Sequence, residues 1–98
     1  MIKVTVTASS DDSILEIIIK DHADKLICAG VSCCLTGAIN AIDDISSFDY
    51  DVKEGDSYIK AKSSINSHDK VVLETLYIQL LTIANKYKKE IKIFRERV

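Results

Sequence analysis

The sequence predicts an α+β fold: a small, mostly antiparallel sheet with two helices, in the order β-β-α-β-β-α-β. Three observations predict it. Short segments near the start, the middle and the end of the chain alternate apolar and polar residues, the period of a half-buried strand. Two longer segments between them repeat apolar residues in steps of three and four, the period of a helix with one buried face. Four of the strands fall into two close pairs joined by turn-forming residues, which makes hairpins and antiparallel pairing dominant.

The first strand covers residues 2–7, with Ile2, Val4 and Val6 on one face and Lys3, Thr5 and Thr7 on the other. Residues 8–13 (Ala-Ser-Ser-Asp-Asp-Ser) have turn composition, and residues 14–20 form the more apolar partner strand. The polar residues 21–25 then lead to a helix from Leu26 to about Ile42, with Asp24 able to cap its start. Its apolar stripe is Ile27, Val31, Cys34, Leu35, Ala38 and Ile42. Residues 48–53 and 57–62 pair across Glu54-Gly55-Asp56 as a second hairpin. Ser67 is the expected N-cap of a second helix, with Asp69 in its first turn and a stripe through Leu73, Leu76, Leu80 and Ile83. That helix ends near Lys88, and residues 91–97 alternate as a final edge strand.

With 98 residues, 47% hydrophobic and 29% charged, the chain holds one core, so residues 1–98 are read as one domain. The apolar fraction excludes disorder, and no apolar run approaches the roughly 18 to 20 residues of a membrane span. The N-terminus alternates like a strand and lacks the apolar block of a signal peptide, so a cytoplasmic protein is expected. A net charge of −2 conceals +4 over residues 86–98, where six basic residues face two acidic ones. This stretch is too short and too poor in aromatics for a nucleic-acid surface, and reads as a solvated, dipole-favoured helix end. A small sheet with one helix layer leaves apolar surface, which makes a homodimer the expected assembly.

Three cysteines, Cys28, Cys33 and Cys34, lie within seven residues. The odd, clustered count excludes a disulfide scaffold and suits a reducing compartment. Their spacing, with His68 far away, matches no common zinc site. Cys33 and Cys34 read as small core hydrophobes, and His68 as a surface residue. Asp43, Asp44, Asp49, Asp51, Glu54 and Asp56 read as a solvated strand edge that discourages aggregation.

His22 and Cys28 are the most pointed pair. His22 follows the end of a strand, and Cys28 lies in the first turn or so of a helix. The positive end of a helix dipole favours a thiolate there, and a neighbouring imidazole can take the proton and return it to a leaving group. Ser32, one helical turn beyond Cys28 on the same face, could orient a substrate or a water. Cys28 also fits the apolar stripe as a buried thiol, so spacing alone leaves both readings open.

His22-Ala23 followed by Ile27-Cys28-Ala29-Gly30-Val31-Ser32, with Asn40-Ala41-Ile42 at the helix end, resembles the ribosomal-processing cysteine proteases (the Prp or YsxB-like family). The resemblance extends over the whole chain. It implies removal of a short N-terminal extension from the precursor of ribosomal protein L-twenty-seven, with Cys28 as nucleophile and His22 as general base and acid. It also implies a homodimer that uses no cofactor or metal. Three departures stand out: Asp21 replaces the family's glycine before the histidine, the loop from His22 to Cys28 is about six residues short, and Lys25 stands where an aspartate is common. A relative of the same fold acting as a non-catalytic ribosome-assembly protein is the alternative reading.

Overall fold

Hydrophobic alternation becomes a sheet with one covered face. The structure, a computed structural model, describes residues 1–98. Strands β1 (Ile2–Ala8), β2 (Ile14–Lys20), β3 (Phe48–Asp51), β4 (Asp56–Ala61) and β5 (Ile91–Arg97) form one sheet in the order β3-β4-β2-β1-β5. Helices α1 (Lys25–Ala41) and α2 (Ser67–Lys86) complete the predicted order, with a short 3-10 turn at Ile45–Ser47 that the sequence reading lacks. All pairings are antiparallel except β1 with β5, which is parallel. That edge arises because the chain crosses through α2 before returning beside β1.

The inward residues Ile2, Val4, Val6, Ile17, Ile59 and Ile91 meet Leu35 of α1 and Leu73, Leu76 and Leu80 of α2 in one core. Truncating a fully buried leucine such as Leu80 to alanine costs about 2–5 kcal/mol, part of it for the cavity left behind. The β1–β2 register shifts at Thr7 and Ala8, so both Ala8 and Ile14 remain on the buried face. The basic C-terminal residues divide between elements: Lys86 ends α2, whereas Lys92, Arg95 and Arg97 lie on β5. Arg95 stacks 4.7 Å from the Tyr77 ring centroid and, like Arg97, bonds to Asp12.

Asn66 caps α2 one residue before the expected Ser67, accepting from the Asp69 N–H at 2.8 Å. Asp69 itself is buried. It accepts from the backbone N–H groups of Asp43 (2.8 Å) and Asp44 (3.2 Å), and the exposed His68 Nδ1 lies 2.9 Å from the same carboxylate. The exit from α1 is thereby fastened to the entry of α2. Burial alone would raise the Asp69 pKa, but the Asp43 N–H, His68 and the Asp44 N–H together hold it below the usual carboxylate range. The Asp69 hydrogen bond in turn raises the pKa of His68.

Cys33 departs from expectation. It is exposed, and Cys34 is only half-buried, on the apolar groove of about 390 Å³ between α1 and α2. The buried stripe of α1 is Ile27, Val31, Leu35 and Ala38, and residue 33 lies across the helix from it. Burial, with the adjacent Cys33, raises the Cys34 pKa and leaves that thiol protonated at neutral pH.

Candidate active site

The site forms where β2 ends, α1 begins and the β3–β4 hairpin turns. After Lys20 the backbone enters the left-handed region at Asp21, with φ of +71°. Aspartate tolerates this conformation better than most side chains. The Asp21 N–H donates to the carbonyl of Gly55 at 3.0 Å, tying the strand exit to the neighbouring hairpin turn.

Residues 22–24 then make a short loop fixed at its far end. The Asp24 N–H donates to Glu90 Oε2 at 3.1 Å, and the Asp24 carboxylate accepts from the Leu26 N–H at 2.9 Å as the N-cap of α1. Cys28 closes the first helical turn through its N–H to the Asp24 carbonyl at 2.9 Å. Its half-buried Sγ receives the Ala23 N–H at 3.3 Å and can donate to the Ala23 carbonyl at 3.4 Å. The thiol is therefore bonded to the residue next to His22. Short as it is, the loop brings histidine and cysteine to one place.

His22, Cys28 and Ser32 line the same cleft of about 40 Å³, together with Asp21, Gly55 and Ser57. The His22 ring lies over Gly55, and Val31 and Leu35 also line the cleft. The larger α1–α2 groove lies on the Cys33 and Cys34 face of α1, and those thiols take no part in the cleft. Asp43, His68 and Asp69 each bring a ligand atom within 4.8 Å of one another, but both Asp69 oxygens already hold backbone N–H groups. That cluster is an anchor between helices. The acidic residues of the second hairpin stay near its surface; Asp56 and Glu54 reach the rim of the cleft.

Three contributors escaped sequence reasoning: the Ala23 backbone, Glu90 and Gly55. Glu90 sits in a turn with no motif. Gly55 signals a turn by composition, but nothing local in the sequence places that turn against His22.

A reduced thiol at the head of a helix, bonded beside a histidine loop in a cleft, defines the class: a cysteine hydrolase on a small α+β scaffold. Comparison with known proteins fixes the family. The Cysteine protease Prp family matches residues 1–92, and the chain belongs to it. The ribosomal processing cysteine protease Prp of Staphylococcus aureus is 29% identical over 103 aligned positions, covering 95% of this chain and 97% of that protein. The Bacillus subtilis protein of the same name is 28% identical, with 95% and 96% covered. Among solved structures, the S. aureus protease with a covalently linked product peptide superposes with a TM-score of 0.85 at 28% identity, covering 98% of this chain and all of that one. Its complex with a substrate peptide gives 0.86 at 26% identity and the same coverage. The protein is thus a cysteine protease of the Prp family.

Proposed function

We propose that this protease removes the N-terminal extension from the precursor of ribosomal protein L-twenty-seven, with Cys28 as nucleophile and His22 as general base and acid. The carrying observation is the Ala23–Cys28 hydrogen-bonded pair, which joins the histidine loop to the thiol in one cleft. The relatives' role as ribosomal processing proteases supports the substrate class.

The chemistry balances with the residues at hand. His22 takes the Cys28 proton, and Sγ attacks the scissile carbonyl carbon. The tetrahedral intermediate collapses as the imidazolium protonates the departing amine, which leaves an S-acyl enzyme. Water, deprotonated by His22, then attacks that thioester, releasing the carboxylate product and restoring the thiol. No electron is transferred, so the cycle calls for no redox partner. Ser32, which lines the cleft one turn after Cys28, is the proposed orienting group for the substrate or that water. Incubating the protein with an extended precursor and reading intact masses tests the proposal: one new N-terminus is expected, whereas a precursor bound but uncut would favour the assembly-factor reading.

The proposed assembly is a homodimer in the cytoplasm, where free thiols persist. No helix is long and apolar enough to cross a membrane. The uncovered sheet face supports self-association. Strand register aligns Phe94, Thr5, Ile18 and Tyr58 in one row across β5, β1, β2 and β4. On either side of that row, charges oppose along three of its four strands, Lys92 against Glu96 on β5, Lys20 against Glu16 on β2 and Asp56 against Lys60 on β4, while β1 carries Lys3 and the neutral Thr7. A two-fold axis along the row would therefore stack two sheets with apolar residues facing each other and opposite charges meeting on both flanks, an isologous contact.

A further inference from the structure

Gly55 occupies the β3–β4 turn with φ of +77°, a conformation that side-chain-bearing residues rarely adopt. The turn is held on both sides. The Asp56 N–H donates to the Lys53 carbonyl at 3.1 Å, the buried Ser57 hydroxyl donates to that same carbonyl at 2.8 Å, and the Lys53 N–H donates to Ser57 Oγ at 3.1 Å. From the other side, the Asp21 N–H grips the Gly55 carbonyl, so the residue before His22 is bonded to the turn beneath the ring. A Cβ on residue 55 would lie 2.5 Å from His22 Nε2, 2.7 Å from Cε1 and 3.3 Å from Cδ2. These are distances at which one group must move. The turn backbone is pinned and the ring is an exposed side chain, so the ring would move.

From this we infer that Gly55 is a positioning residue for the His22 imidazole. Its bare Cα is the seat on which the ring rests, and the Asp21–Gly55 hydrogen bond holds the seat under the histidine. Proton transfer requires the base within about 2.6–3.2 Å of its partner, or one water away, so a side chain at residue 55 would displace the base while leaving the nucleophile in place. The inference rests on the reading of His22 and Cys28 as the reacting pair.

The test uses the full chain carrying Cys33→Ser and Cys34→Ser, so that iodoacetamide reports on Cys28 alone. Into it go Gly55→Ala and Gly55→Asn, the latter because asparagine tolerates a positive φ while still bearing a Cβ. Both variants should lose at least about tenfold in kcat on an extension-spanning peptide, with KM within about twofold of the parent. Alkylation of Cys28 at pH 7 should slow in parallel, while the Asn variant keeps a near-parental melting temperature. In a His22→Ala background, Gly55→Asn should leave the alkylation rate unchanged, because no ring remains to be displaced. A folded Gly55→Asn variant with parental kcat and alkylation overturns the inference, and so does an equal slowing in the His22→Ala background. Undiminished cleavage by Cys28→Ala would instead sink the underlying pair assignment, a separable result.

Discussion

Ala23 and Cys28 hold each other: the Ala23 N–H donates to Sγ at 3.3 Å, and the thiol donates back to the Ala23 carbonyl at 3.4 Å. The thiol cannot shift without disturbing the loop that carries His22, and the Ala23 N–H remains a donor to sulfur once the thiol proton has left. If His22 is the base, His22→Ala lowers kcat by about 10²–10⁴-fold, the usual contribution of a positioned general base. Because His22 is exposed, its stability cost stays within about 0.5 kcal/mol. Steady-state kinetics together with urea unfolding checks both numbers, and an unchanged kcat would remove His22 from the mechanism.

The left-handed Asp21 separates backbone conformation from side-chain chemistry. Replacing Asp21 by glycine relieves the positive φ but loosens the unfolded chain, so stability should rise by no more than about 1 kcal/mol. Asp21→Val, β-branched in the same conformation, should cost more than about 1 kcal/mol. The exposed Lys3–Asp21 ion pair adds little to either balance. Equal unfolding free energies for the two variants would show that φ at this position carries no strain.

The thiols of the α1–α2 groove are predicted to be dispensable. Cys33→Ser lies on the surface and should change stability by less than about 0.5 kcal/mol. Cys34→Ala, half-buried, should cost about 1 kcal/mol. Neither should alter kcat. A large loss of activity in either variant would mean that the groove and the cleft communicate.

The helix anchor predicts a pH profile with two signs. The Asp69 pKa is lowered on folding, so its contribution is present above the ordinary value of 3.8 and is lost as pH falls through the lowered folded value. The His68 pKa is raised, so its contribution is full below the ordinary value of 6.5 and fades as pH rises through the raised one. Unfolding midpoints measured across pH 3 to 8 should decline at both ends, and His68→Asn should abolish the alkaline decline and soften the acid one. Asp69→Ala leaves the Asp43 and Asp44 N–H groups without their acceptor and should cost about 1–3 kcal/mol.

Dimerisation through the open sheet face is testable by charge. Ile18→Asp puts a carboxylate in the middle row and should yield a monomer by light scattering. The exchange Lys20→Glu with Glu16→Lys preserves the antisymmetric pattern and should keep the dimer. A dimer that survives Ile18→Asp uses another surface.

Local chemistry in the sequence carried far. Alternation at Ile2, Val4 and Val6 and the three-and-four steps of Leu73, Leu76 and Leu80 report on burial directly, because strand and helix periods decide which side chains face inward. The same logic failed at Cys33, where a small apolar residue lies off the buried stripe and composition cannot tell the two faces apart. His22, Cys28 and Ser32 were legible because a few neighbouring residues unite them. The Gly55 seat, the Glu90 tether and the parallel β1–β5 pair were not, since each depends on how distant segments meet after the core has formed.

Thioester chemistry at Cys28 can be read by intact mass spectrometry of the enzyme quenched during turnover of an extended ribosomal protein L-twenty-seven precursor. Turnover should leave on Cys28 a covalent adduct of the released extension's mass less one water, absent in Cys28→Ala, which yields no product. Cleavage at the parental rate by Cys28→Ala, or an adduct mapped to Cys33 or Cys34, would contradict it.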